Sequence, residues 1–318
     1  MVRVYYCPPP FGGIRLATSF GSAQNLLLYT ITILIWGSSW IAIKFQLGEV
    51  DPMVSVAYRF LLAAGISWLY CGYSGRLMRF GLLDHGFMFL QGASLFCFNY
   101  LLFYIAELTL ISGLVAAILS TIVVMNMLNG IVFLKNSFEI RMGIGACLGL
   151  MGIALVFWPE ITDFEAGREN LTAAFLAVSA TFLASIGSIA SARNQRHGIP
   201  VIQANTYGMT YGALIMVALA LVTGQEFSFE MTSSYVGSLV FLVLFATIIA
   251  FLSYLTLIGR VGVERGAYTS LLFPLVALGI STIVEEYQWS AYAGIGIVLV
   301  LAGNLLILKR GSRGTASH

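Results

Sequence analysis

The chain has 318 residues, of which 59% are apolar and only 9% charged, and it carries a net charge of +2. A soluble domain holds roughly a quarter charged residues, so this composition excludes a water-soluble globule. The small net charge, with no basic stripe interleaved with aromatics, gives no sign of a nucleic-acid partner.

Residues 1–24 hold a triple proline (Pro8, Pro9, Pro10) and a glycine pair but no long apolar run. They lack the apolar region of a cleavable signal peptide and are expected to form a flexible cytoplasmic tail. From Asn25 to Leu308, apolar runs recur, each long enough to cross a hydrocarbon core of about 30 Å as a helix. Ten spans are predicted, at about 25–45, 53–72, 84–105, 111–134, 140–158, 170–192, 200–222, 234–258, 266–285 and 289–308. Asp51-Pro52 reads as an N-cap followed by proline at the first helical position, and Pro200 opens the seventh span in the same way. Trp158-Pro159 is expected to close the fifth, because a residue before proline disfavours the α region. Residues 309–318 form a basic tail, expected on the cytoplasmic side.

Charge orients the spans. With the N-terminus inside, the inner segments hold thirteen basic residues: Arg3, Arg15, Arg76, Arg79, Lys135, Arg141, Arg193, Arg196, Arg260, Arg265, Lys309, Arg310 and Arg313. The outer loops hold Arg168 alone, while Lys44 and Arg59 lie in or beside spans. Cytoplasmic loops carry the excess of Lys and Arg, so both termini are predicted inside an inner (plasma) membrane.

The second half repeats the first. "NYLLFYIAELTLISGLVAA" (99–117) aligns with "SYLTLIGRVGVERGAYTSL" (253–271), and "GACLGLMGIALVF" (145–157) with "GIVLVLAGNLLIL" (296–308). Gly37-Ser38 and Gly187-Ser188 each precede a short loop and a proline. Five spans per copy is odd, so the second copy enters from the opposite side. The predicted fold is an all-α integral membrane protein of ten transmembrane helices arranged as two inverted five-helix repeats, 25–158 and 170–308.

"WGSSWIAIKF…DPMVSVAYRFLLAAG" (36–65), "LISGLVAAIL" at the start of span four, the repeated glycine patterns and the ten-span layout resemble the EamA-type drug/metabolite transporter superfamily over residues 25–308. The resemblance implies a carrier of small metabolites, often an exporter of amino acids or related compounds, working by alternating access through a cavity between the repeats. Uptake or exchange of a neutral sugar-like or nucleotide-linked solute is the alternative, and an integral membrane enzyme ranks below both. The chain departs from the family at two places. Pro274 stands in "LLFPLV", but its counterpart in the first half is Ser120, and the family's Gly-Glu after span four is Lys135-Asn136.

Trp36, Trp40 and Lys44 are four apart and share a helical face, with small residues Gly37, Ser38 and Ser39 beside them. Lys44 reads either as a side chain snorkelling to the outer headgroups or as a cation at the cavity mouth. Arg59 lies seven residues past Pro52, about 10 Å into the membrane. It is expected either to pair with a carboxylate or backbone carbonyls, or to face the substrate. The remaining cavity candidates are Asn99, Tyr100, Ser120, Asn126, Ser188, Tyr254 and Ser270, with back-bonding to the own helix as the plain alternative for each serine. Pro274 is the candidate hinge or gate. No carboxylate falls near the centre of a predicted span, which favours a facilitator or exchanger over a proton-driven carrier. Cys7, Cys71, Cys97 and Cys147 show no metal-ligand spacing, and neither a metal nor a cofactor is expected. The expected partners are the lipid bilayer and a small-molecule substrate. Oligomeric state is left open.

Overall fold

A computed structural model describes residues 22–46, 48, 50–110, 112–284 and 290–308. Those residues form helices joined by short connections. In chain order they are α1 Ala23–Lys44, α2 Pro52–Tyr73, α3 Leu82–Ala93, α4 Asn99–Glu107, α5 Ser112–Ser120, α6 Ile122–Leu134, α7 Ile140–Val156, α8 Trp158–Thr162, α9 Arg168–Arg196, α10 Val201–Val222, α11 Ser233–Phe241, α12 Ala250–Val261, α13 Val263–Gly266, α14 Thr269–Val284 and α15 Ala291–Leu308. π-helical stretches, Ser94–Phe98 and Leu242–Ile249, join α3 to α4 and α11 to α12 into continuous rods.

Among the described residues, 7 helical rods are long and apolar enough to cross a membrane: Ala23–Ile43, Pro52–Tyr73, Leu82–Glu107, Leu114–Leu134, Arg168–Arg196, Val201–Val222 and Ser233–Val261. Ile140–Val156 and Ala291–Ile307 are shorter apolar helices, and α14 has 16 residues. Helices dominate because hydrocarbon offers a peptide group no partner, so each N–H and C=O must bond within its own segment.

The first cap follows the sequence: the Asp51 side chain accepts from Met53 N at 2.8 Å, with Pro52 opening α2. Pro200 instead occupies the cap position itself, without a side-chain cap bond, and α10 begins at Val201. A second expectation fails. Trp158-Pro159 does not close the fifth span. α7 already stops at Val156, and the proline sits in the first turn of the short helix α8, where its missing N–H leaves no bond unmade. α9 also begins earlier than predicted, at Arg168, and runs to Arg196. Lys135 caps α6 in the left-handed region at φ 57°, a conformation that glycine adopts without strain.

Close packing rests on glycine. α7 and α15 touch backbone to backbone: a Cβ on Gly152 would lie 2.6 Å from Gly296 O, and one on Gly296 2.5 Å from Gly152 O. Gly145 and Gly303 meet in the same reciprocal way, at 2.9 and 2.6 Å. Between α3 and α10, Gly92 abuts the Gly208 carbonyl. Without a hydrophobic drive between helices in lipid, such approach is where van der Waals attraction accumulates. Gly152→Val should therefore push α7 from α15 and lower the thermal midpoint of detergent-purified protein, by about 1–3 kcal/mol of overpacking. Gly294→Val, whose added atoms would meet nothing within 4 Å, should leave the midpoint unchanged.

Candidate functional site

The residues around Arg59 are assembled from three rods: α2, α3–α4 and α11–α12. Arg59 projects from α2 and is 3% exposed. Its Nε donates to Thr247 Oγ1 at 2.7 Å, and one terminal nitrogen reaches the Tyr100 hydroxyl at 3.4 Å. The guanidinium lies 4.9 Å from the Tyr100 ring centroid and 5.6 Å from that of Phe60. The other terminal nitrogen, Nη1, is buried without a hydrogen-bond partner. No Asp or Glu among the described residues pairs with Arg59. The structural expectation for this residue, a carboxylate or backbone carbonyls as partner, is thus not met. A buried cation without a counterion is penalised by several kcal/mol. A hydrogen bond to a charged group and a cation–π contact offset roughly 2 kcal/mol each.

The two π-helical stretches shape this region. An extra residue per turn displaces the backbone ladder and re-aims side chains. In Leu242–Ile249 it presents Thr247 to Arg59 and the Ala246 carbonyl to Trp36 Nε1, at 3.1 Å. In Ser94–Phe98 it sets Phe96 against Phe60 and Phe251, with centroids 5.5 and 5.0 Å apart. Asn99 and Tyr100 follow directly. Trp36 packs on Phe251 and Tyr254, both at 5.1 Å, so a continuous aromatic wall runs from Trp36 through Phe251 to Tyr100 and Arg59.

Asn126 reaches this wall from α6, donating to the Tyr254 hydroxyl at 3.3 Å, while its Oδ1 and that of Asn99 are buried without a partner. Ser188 donates to Ala184 O at 2.9 Å. Ser39 and Ser270 donate to their own helices, at Trp36 O and Ala267 O. The backbone of Trp40 and Lys44 belongs to α1, but their side chains lie outside the described residues. Gly37 presses against Val276 of α14, so the small residues of "WGSSW" bring α1 and α14 together while Trp36 meets the wall.

Ser120 and Pro274 turn out to be linked. Pro274 lies inside α14 and cannot donate to the carbonyl four residues earlier, that of Ser270. The Ser120 hydroxyl lies 3.2 Å from that orphaned oxygen and 3.0 Å from Ala116 O. A residue standing where the family has a second proline thus bonds the carbonyl that the first one frees.

The two ends of the bundle differ. At the Arg193 end, Arg193 pairs with Asp84 at 2.9 Å and Arg265 with Glu139 at 2.8 Å. Asn136 there bonds Glu264, and Arg196 bonds Asn136 and Leu134 O. Deeper in, Gln91 donates to Asn205 and accepts from Asn194. The Asp51 end is joined by neutral groups: Gln46 to Tyr235 O and Ser238, Ser55 to Tyr235, and Tyr58 to Ser228 O. Phe227 and Phe229 of the loop 223–232 pack edge-on against Tyr58. A separate groove of about 410 Å³, lined by Ile105, Thr109, Arg168, Glu169, Thr172, Ala173 and Leu176, contains none of the candidate residues.

Glu107 was absent from the cavity candidates. It ends α4 on the face of Tyr100 and Tyr104, at positions i, i+4 and i+7. That spacing was present in the sequence.

An apolar helical bundle with 7 rods long enough to span a bilayer, and with a buried cation beside an aromatic wall, fits a polytopic membrane protein in class. The sequence model of the EamA-like transporter family matches residues 25–158 and again 171–309, and the chain belongs to that family. It is 22% identical to Protein PagO of Salmonella typhimurium over 89% of this chain and 92% of that protein. It is 23% identical to a protein of Escherichia coli named a probable amino-acid metabolite efflux pump, over 89% and 94% of the two chains. A solved crystal structure shares the fold, with a TM-score of 0.74 at 16% identity over 88% of this chain and 94% of its own. The family and the name of the Escherichia coli protein indicate a transporter rather than an enzyme.

Ser120→Ala should leave the Ser270 carbonyl unbonded and cost about 1–3 kcal/mol of stability, read as a lower thermal midpoint. Ser120→Thr should restore most of it.

Proposed function

We propose that this protein exports an amino acid or a similar zwitterion from the cell by alternating access. It does so through ten membrane helices built as two inverted five-helix repeats, in the inner membrane, with both termini cytoplasmic. The observation that carries this reading is Arg59: a guanidinium 3% exposed, without a carboxylate partner among the described residues and with Nη1 unbonded. Such a charge is tolerated inside a membrane protein where it faces a cavity or ligand. A substrate carboxylate supplies the missing acceptor, in the bidentate geometry that guanidinium favours.

Several observations support the architecture. The family model matches twice, once per half. The π-helical stretches fall in equivalent rods of the two halves. The glycine contacts are reciprocal: with "GACLGLMGIALVF" aligned to "GIVLVLAGNLLIL", Gly145 corresponds to Gly296 and Gly152 to Gly303. The contact Gly145–Gly303 is then the two-fold mate of Gly152–Gly296. With the Arg193 end facing the cytoplasm, its ion pairs lie on the side that the excess of basic residues assigns inside. The name carried by the Escherichia coli relative, probable amino-acid metabolite efflux pump, supports the substrate class.

The test is uptake of a labelled amino-acid panel by purified protein in liposomes. Wild-type protein should equilibrate at least one amino acid saturably, independent of an imposed pH difference. Arg59→Gln should lower that flux at least tenfold with membrane yield and thermal midpoint retained, because removing an unpaired buried cation relieves its desolvation. A fall in midpoint with the lost flux would mark Arg59 as a structural staple instead.

A further inference from the structure

We infer that Glu107 is the ammonium-binding pole of the substrate site, opposite Arg59, so that the two charges clamp the head group of an α-amino acid. The inference rests on the reading of Arg59 given above. Glu107 is partly buried, and its carboxylate has neither a hydrogen bond nor an ion pair among the described residues. It sits on the α4 face that carries Tyr100 and Tyr104, and Tyr100 is the residue whose hydroxyl and ring meet the Arg59 guanidinium. Arg59 therefore reaches this face at Tyr100 while Glu107 stands seven residues further along it, and the two charges do not bond each other.

Their spacing suits a zwitterion. Glu107 is seven residues beyond Tyr100, about 10 Å along the axis. Helical side chains lean toward the N-terminus, here toward Arg59, which shortens the gap. An α-amino acid holds its amine and carboxylate about 3 Å apart. Two charge-assisted hydrogen bonds of about 2.8 Å then link protein charges roughly 8–9 Å apart. Direct contact of Arg59 with Glu107 would cancel both poles. Spaced along one helix face, each keeps an open valence that only a ligand of mixed charge satisfies at once. The aromatic wall of Tyr100, Phe251 and Trp36 adjoins the Arg59 pole and provides an apolar surface for a side chain.

Three probes of one shape separate the poles in liposomes holding the full-length protein: L-phenylalanine, phenylpropionate, which lacks the amine, and phenethylamine, which lacks the carboxylate. Wild-type protein should favour L-phenylalanine over both. Glu107→Gln should raise the KM for L-phenylalanine at least tenfold and leave the weak flux of phenylpropionate unchanged, while Glu107→Asp should keep the preference for the amine. Arg59→Gln should abolish flux of both carboxylates. An unchanged KM in Glu107→Gln, with Arg59→Gln inactive, overturns the clamp and leaves the Arg59 reading standing. Equal losses for L-phenylalanine and phenylpropionate in Glu107→Gln also overturn it, since the carboxylate would then serve something other than the amine. Full activity of Arg59→Gln, or no saturable flux of any labelled amino acid by wild-type protein, overturns both, while flux of other amino acids without L-phenylalanine overturns the clamp set against this aromatic wall.

Discussion

Inside a bilayer no water is at hand to complete a hydrogen bond, so every polar group the chain carries inward needs a partner supplied by the chain itself. Most of this structure obeys that demand. Asn129 donates to Ser185, Trp68 to Thr210, and Gln195 to the Leu255 carbonyl. Even the carbonyl that Pro274 releases finds the hydroxyl of Ser120. Departures from the rule among the described residues include Arg59 Nη1, Asn99 Oδ1 and Asn126 Oδ1 on α2, α4 and α6, and also Ser67 Oγ on α2 and Gln203 Oε1 on α10. In the function proposed above, Arg59 Nη1 is the group that a substrate carboxylate satisfies.

The wall owes its position to departures from α-helical geometry. A straight α-helix would keep the Ala246 carbonyl in its own ladder, whereas the π-helical stretch turns it toward the Trp36 indole and brings Thr247 to Arg59. The matching stretch before Asn99 carries Phe96 into contact with Phe60 and Phe251. Two local widenings, one in each half, thus meet across the aromatic cluster and couple the backbones of two rods to the surroundings of a single cation.

The ends of the bundle are held by different forces, and this bears on how they separate. Ion pairs at the Arg193 end bridge α3 to α9 and the start of α7 to α13, and both are partly exposed, so each is worth little once water enters. The Asp51 end is closed by aromatic edges and neutral hydrogen bonds around Tyr58 and Tyr235, contacts that salt does not screen. Between them, the glycine contacts of α7 with α15 form a dry, reciprocal seam. Such a seam suits a fixed frame better than a moving part, because its backbones already touch.

Much of the fold was legible in the chain, because lipid leaves a sequence few choices. The apolar runs, the Asp51-Pro52 cap, the basic bias of one side and the family pattern around "WGSSW" follow from local chemistry and composition. Trp158-Pro159 misled because proline both ends and begins helices, and only the early stop of α7 at Val156 decides between the two. The candidate site was half legible. The sequence by itself determined that Arg59 is buried in a span, since seven residues past Pro52 is a matter of helical rise. Tertiary structure alone decided that no carboxylate among the described residues meets it, and that Thr247 and Tyr100 hold it. Those facts depend on which faces of distant helices are brought together by close glycine contacts and π-helical turns, and a one-dimensional pattern of apolar residues carries no record of that pairing.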